Sequence, residues 1–213
     1  MVLSGIKPLP TDALLVIDMQ QDFCPGGALA VAGGDAIIPV INSLGNRFEH
    51  VILTQDWHPK GHISFASTYP GKRPYETIEA TYGLQTLWPD HCVQQTAGAD
   101  FHLALDLPHA ELILRKGFRR EIDSYSAFLE NDHTTSTGLA GYLRERGLKR
   151  LFFCGLAYDF CVRYSAIDGT ILGFECLVLE DANRAVSLPG SVDSTNAAFA
   201  EASVLRISSG QIG

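Results

Sequence analysis

Six short runs of the chain are almost continuously apolar: ALLVID (13–18), HVILT (50–54), ELILRK (111–116), RLFFC (150–154), ECLVLE (175–180) and SVLRIS (203–208). A strand with one wet face alternates apolar and polar residues, so unbroken runs predict strands covered on both faces, as in a parallel sheet. Between them the spacing turns helical. Ile37, Ile38, Ile41, Leu44 and Phe48 form one stripe with Asp35 placed as its cap, and Leu139, Tyr142 and Leu143 form a second that stops at Gly147. A third helix is expected to start near Asp159 and run through Val162, Ala166 and Ile167, and a fourth to cover Ser194 to Ala202. This alternation predicts an α/β fold of Rossmann-like type, a three-layer αβα sandwich around a mainly parallel sheet of about six strands joined by right-handed crossovers. Ligands of such sheets bind beyond the carboxyl ends of the strands. Two long irregular segments, Trp57 to His109 and Gly117 to Ser136, interrupt the pattern. Loops of that length carry function when ordered, and the first, which holds both tryptophans, is expected to form an active-site wall.

At 213 residues, the chain is expected to be a single domain spanning 1–213, with the active-site loop region at about 57–109. A net charge of −8 leaves no basic face for nucleic acid or anionic lipid, so the expected partner is a small molecule. No apolar segment is long enough to span a bilayer, and MVLSGIKPLPTD lacks the basic start and apolar core of a secretory leader. Five cysteines, scattered and without a CxxC, do not form a disulfide framework; together these features predict a cytoplasmic protein with reduced thiols. No heptad pattern speaks for or against a homo-oligomer.

Three strand ends carry chemistry. Asp18 closes the first run and Lys116 the third, both at the edge where the sheet is expected to meet solvent. Cys161 follows the fourth run by a short glycine-containing turn, GLAYDFCV (155–162), and is expected at a helix N-terminus, where the dipole favours an anion. Singly each has an ordinary explanation: a solvated strand end, or a small buried hydrophobe in the case of a lone cysteine. A sheet has one carboxyl edge, however, and on it the three groups would complement one another as nucleophile, stabilising ammonium and proton carrier. The amides of Ala157 and Cys161 would then form an oxyanion hole.

A second cluster stands apart in sequence. Asp56 and His58 lie two residues apart in TQDWHP and share one side of an extended backbone, and WPDHC supplies His91. One carboxylate and two imidazoles suit a divalent metal ion, zinc first and iron or manganese as alternatives, although surface residues produce the same spacing. His62 is either a further ligand or a residue that orients a neighbour. Phe23, Leu29, Trp88 and Tyr125 are either core or, gathered near a nucleophile and a metal, the walls that would hold a flat ring.

IDMQQDFCPGGALAV, TQDWHP, LWPDHCVQ with the following GADFH, the strand-end RKG and GLAYDFCV, in this order from about Leu14 to about Asp181, together resemble the bacterial nicotinamidase/pyrazinamidase enzymes of the isochorismatase-like cysteine hydrolases. The resemblance implies metal-dependent hydrolysis of nicotinamide to nicotinate and ammonia through a thioester, with pyrazinamide as a further substrate. It puts the catalytic aspartate, lysine and cysteine on Asp18, Lys116 and Cys161, the metal ligands on Asp56, His58 and His91, and a cis peptide at Leu156–Ala157. Tyr158 departs from the smaller residue of many relatives and raises a question about cleft shape. The rivals are a cysteine hydrolase of carbamoyl, ureido or vinyl-ether compounds, and a non-catalytic metal-binding scaffold.

Overall fold

Each apolar run is a strand of one sheet in this computed structural model, which describes residues 5–213; Met1 to Ser4, the start of the segment read for a leader, lie outside the described residues. The strands are β1 (Asp12–Ile17), β2 (His50–Asp56), β5 (Leu112–Lys116), β6 (Arg150–Leu156), β7 (Glu175–Arg184) and β8 (Leu205–Ile207), with β3 (Thr77–Ala80) and β4 (Gly83–Thr86) pairing separately. The order is β5-β2-β1-β6-β7-β8 and every pairing is parallel. From β1 the chain adds β2 and β5 on one side, then crosses to add β6, β7 and β8 on the other. The switch point therefore lies between β1 and β6, and the crevice beyond their carboxyl ends is where this topology opens a ligand site.

Burial on both faces explains the apolar runs of β1, β2, β6 and β7; the edge strands β5 and β8, expected to be covered alike, leave Ile113 and Leu205 about half exposed. Leu14 and Val16 of β1 point to the side covered by α1 (Ile38–Gly45), together with Ile41, Leu44, Leu53 and Phe152. Ala13, Leu15 and Ile17 point to the opposite side, where α2 (Leu139–Glu145), α3 (Arg163–Ile171) and α4 (Ser191–Glu201) contribute Leu143, Ala166 and Phe199. Each such side chain taken from water contributes about 1.5–3 kcal/mol, so the sheet is held from both sides.

The helix ends differ from the sequence pattern in two places. Asp35 does not cap α1: it opens a single 3₁₀ turn, Asp35–Ile37, that runs straight into the helix, with Pro39 in its first turn. Helix α4 begins at Ser191, three residues before the expected start, because its first turn is polar and carries no apolar stripe. Gly147 ends α2 as expected. Its φ of 74° is a left-handed conformation, and Leu148 N donates to Leu143 O at 2.9 Å, closing the helix end.

The 57–109 segment is less irregular than its sequence suggests. It contains the antiparallel β3–β4 hairpin, paired from Thr77↔Thr86 to Ala80↔Gly83, and short turns at Ala66–Thr68 and Ala97–Ala99. Among the described residues no helix is long and apolar enough to cross a membrane.

Candidate active site

Strand register brings the charged residues together. Asp56 and Lys116 are register partners at the ends of β2 and β5, and Asp18 follows directly on β1, the other neighbour of β2. Asp18 has a φ of 48°, and its amide and carboxylate both turn to Thr54: Asp18 N donates to Thr54 Oγ1 at 3.1 Å, and that hydroxyl donates to Asp18 Oδ1 at 2.6 Å. After β6 the Leu156–Ala157 peptide is cis, and a π-helical turn, Tyr158–Val162, carries Cys161. Ala157 O accepts from both Phe160 N and Val162 N at 3.1 Å, and Asp159 ties the turn to the loop before α4, accepting from Val186 N and Ser187 N at 2.9 Å and from Ser191 Oγ at 2.5 Å.

Lys116 is the hub. Its Nζ donates to Asp56 Oδ1 at 2.5 Å, Ser124 O at 2.9 Å and Cys161 Sγ at 3.3 Å. Asp18 Oδ2 is 2.9 Å from the same nitrogen, an ion pair that brings a fourth group onto Lys116. Oxygens of Asp18 and Asp56 and the sulfur of Cys161 all lie within 4.8 Å of one another. Contrary to the expectation of solvent-facing strand ends, Asp18 and Lys116 are 0% and 1% exposed. The 117–136 segment, through Ser124, closes over them.

Burial and pairing set the protonation states. Burial pushes the Asp18 carboxyl up to about 6, against the pull of Lys116. Burial alone would lower Lys116, but Asp18 and Asp56 overturn it and hold the ammonium well above its ordinary value. Burial likewise drives the Cys161 thiol well above the usual range despite Lys116. This direction opposes the anion expected at the helix terminus, and the Asp18 carboxylate stands beside the thiol as a group that can take its proton. A thiol, a fixed cation and a carboxylate in one dry pocket can carry out nucleophilic attack coupled to proton transfer.

Asp56, His58 and His91 fit a divalent ion. Their ligand atoms lie within 4.8 Å of one another, all three residues are buried, and His58 Nε2 and His91 Nε2 stand 3.6 and 3.9 Å from Asp56 Oδ2. The other ring nitrogens are engaged by backbone carbonyls, His58 Nδ1 with Gly117 O at 2.9 Å and His91 Nδ1 with Pro89 O at 2.8 Å. That outer contact fixes the tautomer in which Nε2 offers its lone pair to a metal. His62 is engaged at both nitrogens, Nδ1 with Ser64 Oγ at 2.7 Å and Nε2 with Ile122 O at 3.2 Å, and its ring packs 4.3 Å from that of His58. His62 also lies with His58 and Asp123 in a second buried group whose ligand atoms are within 4.8 Å of one another.

Cys161 of the first cluster and all three residues of the second line one cleft. Phe23, Leu29, Trp88 and Tyr125 line it, as do Asp56, His58, His91, Ala157 and Cys161. The Ala157 amide donates to no protein group among the described residues. Tyr158 is turned away from this cleft: its hydroxyl donates to Asn196 Oδ1 at 2.6 Å and its ring packs edge-on to Phe199 of α4. Sequence reasoning missed three lining residues, Asp123, Phe160 and Val186. Phe160 and Val186 are single apolar side chains of the kind that ordinarily pack in a core and give no signal, whereas Asp123, a carboxylate in a long loop, carries one. Gln85 of β4, also missed, is buried and donates to Asp123 Oδ2 at 2.9 Å beside the Tyr125 hydroxyl, itself 3.1 Å from Trp88 Nε1.

Comparison with known proteins places these features in context. Residues 12–209 match the model of the isochorismatase domain. The chain is 54% identical to the nicotinamidase of Acinetobacter baylyi, over 94% of each. It superposes on a nicotinamidase/pyrazinamidase structure from Acinetobacter baumannii with a TM-score of 0.94 and 53% identity, over 95% of this chain and 98% of the other. It also resembles the zinc complex of the Pyrococcus horikoshii pyrazinamidase, with a TM-score of 0.77 and 35% identity over 93% and 99% of the two chains.

Proposed function

The chain belongs to the isochorismatase family, and from that premise we propose that it is an amidohydrolase converting nicotinamide to nicotinate and ammonia through a thioester on Cys161. The observation that carries this reading is the Cys161 sulfur 3.3 Å from Lys116 Nζ, with Asp18 Oδ2 2.9 Å from the same nitrogen.

The flat ring lies between Phe23, Trp88 and Tyr125 with its carboxamide over Cys161. Sulfur attacks the amide carbon and its proton passes to Asp18. The carbonyl oxygen takes the negative charge and is met by the amides of Ala157 and Cys161. Asp18 returns its proton to the departing nitrogen, because an amide anion is too basic to leave unaided, and ammonia departs. Asp18 then deprotonates a water that attacks the thioester, nicotinate leaves, and the sulfur regains a proton. Lys116 stays charged throughout and keeps Asp18 and Asp56 compatible in one buried site.

Asp56, His58 and His91 would hold zinc, an assignment supported by their donor set and by the zinc complex of the Pyrococcus relative. When bound, the ion supplies a Lewis-acid site for a ring nitrogen or a water. Pyrazinamide presents the same carboxamide on a similar ring and is a second substrate. Five unbridged cysteines support a cytoplasmic setting.

The test is ammonia release from nicotinamide by the wild type and by Cys161→Ala. Release is expected from the first and not from the second; turnover by Cys161→Ala would overturn the reading.

A further inference from the structure

Thr54 was not among the residues its sequence motif singled out, and it touches neither the cleft nor the sulfur. Its side chain is wholly buried on β2, two residues before Asp56, and its hydroxyl meets nothing but Asp18. A hydroxyl has one proton and two lone pairs. Here Asp18 N donates into a lone pair at 3.1 Å, which leaves the proton for Asp18 Oδ1 at 2.6 Å. The residue that receives both contacts has a left-handed backbone, φ 48°, in which its carboxylate is held by nothing else on that side. The second oxygen, Oδ2, is buried and lies 2.9 Å from the Lys116 ammonium.

We propose that Thr54 is a positioning residue that occupies one oxygen of Asp18 and so dedicates the other to the proton of Cys161. This rests on the hydrolytic reading above. Two groups hold the carboxylate: the Thr54 hydroxyl on Oδ1 and the Lys116 ammonium, shared with Asp56, Ser124 and Cys161, on Oδ2. Without the hydroxyl, one anchor is lost and the carboxylate is free to turn about its contact with Lys116. It would then no longer be held in the orientation that meets the sulfur. Substrate binding, which uses the aromatic walls on the far side of the cleft, would not sense the change.

The experiment compares wild type, Thr54→Val and Thr54→Ser in steady-state nicotinamide hydrolysis, with melting curves for each. Valine keeps the shape and removes the hydroxyl; serine keeps the hydroxyl. The expected result is a kcat lowered about 10- to 100-fold in Thr54→Val, the worth of one hydrogen bond to a charged group, with KM within about twofold. Thr54→Ser should recover most of kcat. A Thr54→Val enzyme with wild-type kcat, or a serine variant as impaired as the valine one, overturns the proposal, as does a loss confined to KM. If Thr54→Val does not fold, Thr54→Ala against Thr54→Ser gives the same comparison. A wild type that releases no ammonia from nicotinamide overturns the hydrolytic reading and this inference with it, whereas an active wild type and an unaffected valine variant overturn this inference alone.

Discussion

Asp56 and Lys116 face each other as register partners at the ends of adjacent strands, 2.5 Å apart. This ion pair joins the cluster that can hold a metal to the cluster around sulfur, because the same ammonium touches Cys161 and Asp18. Lys116→Met leaves two buried carboxylates without their cation. Removing one member of a buried pair costs roughly 3–5 kcal/mol, so urea unfolding should show a loss of that size along with absent turnover. A loss below about 1 kcal/mol would mean that Lys116 does not neutralise the pair.

The pH dependence follows from Asp18. Burial raises its carboxyl to about 6, and only the ionised form can accept the thiol proton. Activity should therefore fall as pH drops through about 6, read as an acid limb in kcat/KM. The sign for stability is opposite. A folded value above the unfolded one means the native state gains from binding that proton, so the contribution is complete below the ordinary carboxylate value and lost as pH rises through about 6. An acid limb absent down to pH 5 would remove Asp18 from the role of base.

Metal removal has a readout besides turnover. An ion bound by the folded state alone raises its melting temperature by mass action. Chelator-treated protein should melt several degrees lower, about what 1–2 kcal/mol is worth in a chain of this size, and release no ammonia; added zinc should restore both. His58→Ala should melt alike with and without chelator. Activity that survives verified depletion would assign Asp56, His58 and His91 to structure.

Trp88 tests the ring clamp. It lines the cleft, packs edge-on to Phe160 at 4.8 Å and donates to the Tyr125 hydroxyl. Trp88→Ala should raise the KM for nicotinamide about tenfold, near 1.4 kcal/mol, with a smaller effect on kcat. Unchanged constants would make the indole a packing group.

Gly155 tests the geometry beneath the site. Its φ is 117°, and a Cβ there would stand 2.1 Å from Ile17 O, the carbonyl just before Asp18. Gly155→Ala should cost more than about 3 kcal/mol, in the class of strained backbone substitutions, and abolish turnover. A stable, active alanine variant would show that the β1–β6 crevice tolerates widening.

The sheet was legible because burial on both faces writes itself as unbroken apolar runs, and the chemical groups because a parallel sheet has a single carboxyl edge. Asp18, Lys116 and Cys161 could be named from strand ends alone. Their burial could not, since it depends on Ser124 and the segment that carries it, far away in sequence from Asp18 and Cys161. The β3–β4 hairpin was hidden for a different reason: each strand has only four residues and is largely exposed, too short an alternation to stand out in a long polar segment. Thr54 sat unnoticed inside an apolar run, where a threonine is an ordinary β-former.

The hairpin stands outside the main sheet and reaches the cleft through the buried amide of Gln85, which meets Asp123, Tyr125 and, from Tyr82, a phenolic donor. Exchanging this outer loop between related enzymes would thus exchange the support behind Asp123 and Tyr125, and a graft that omitted the glutamine would deliver the new surface while unfastening the Tyr125 ring.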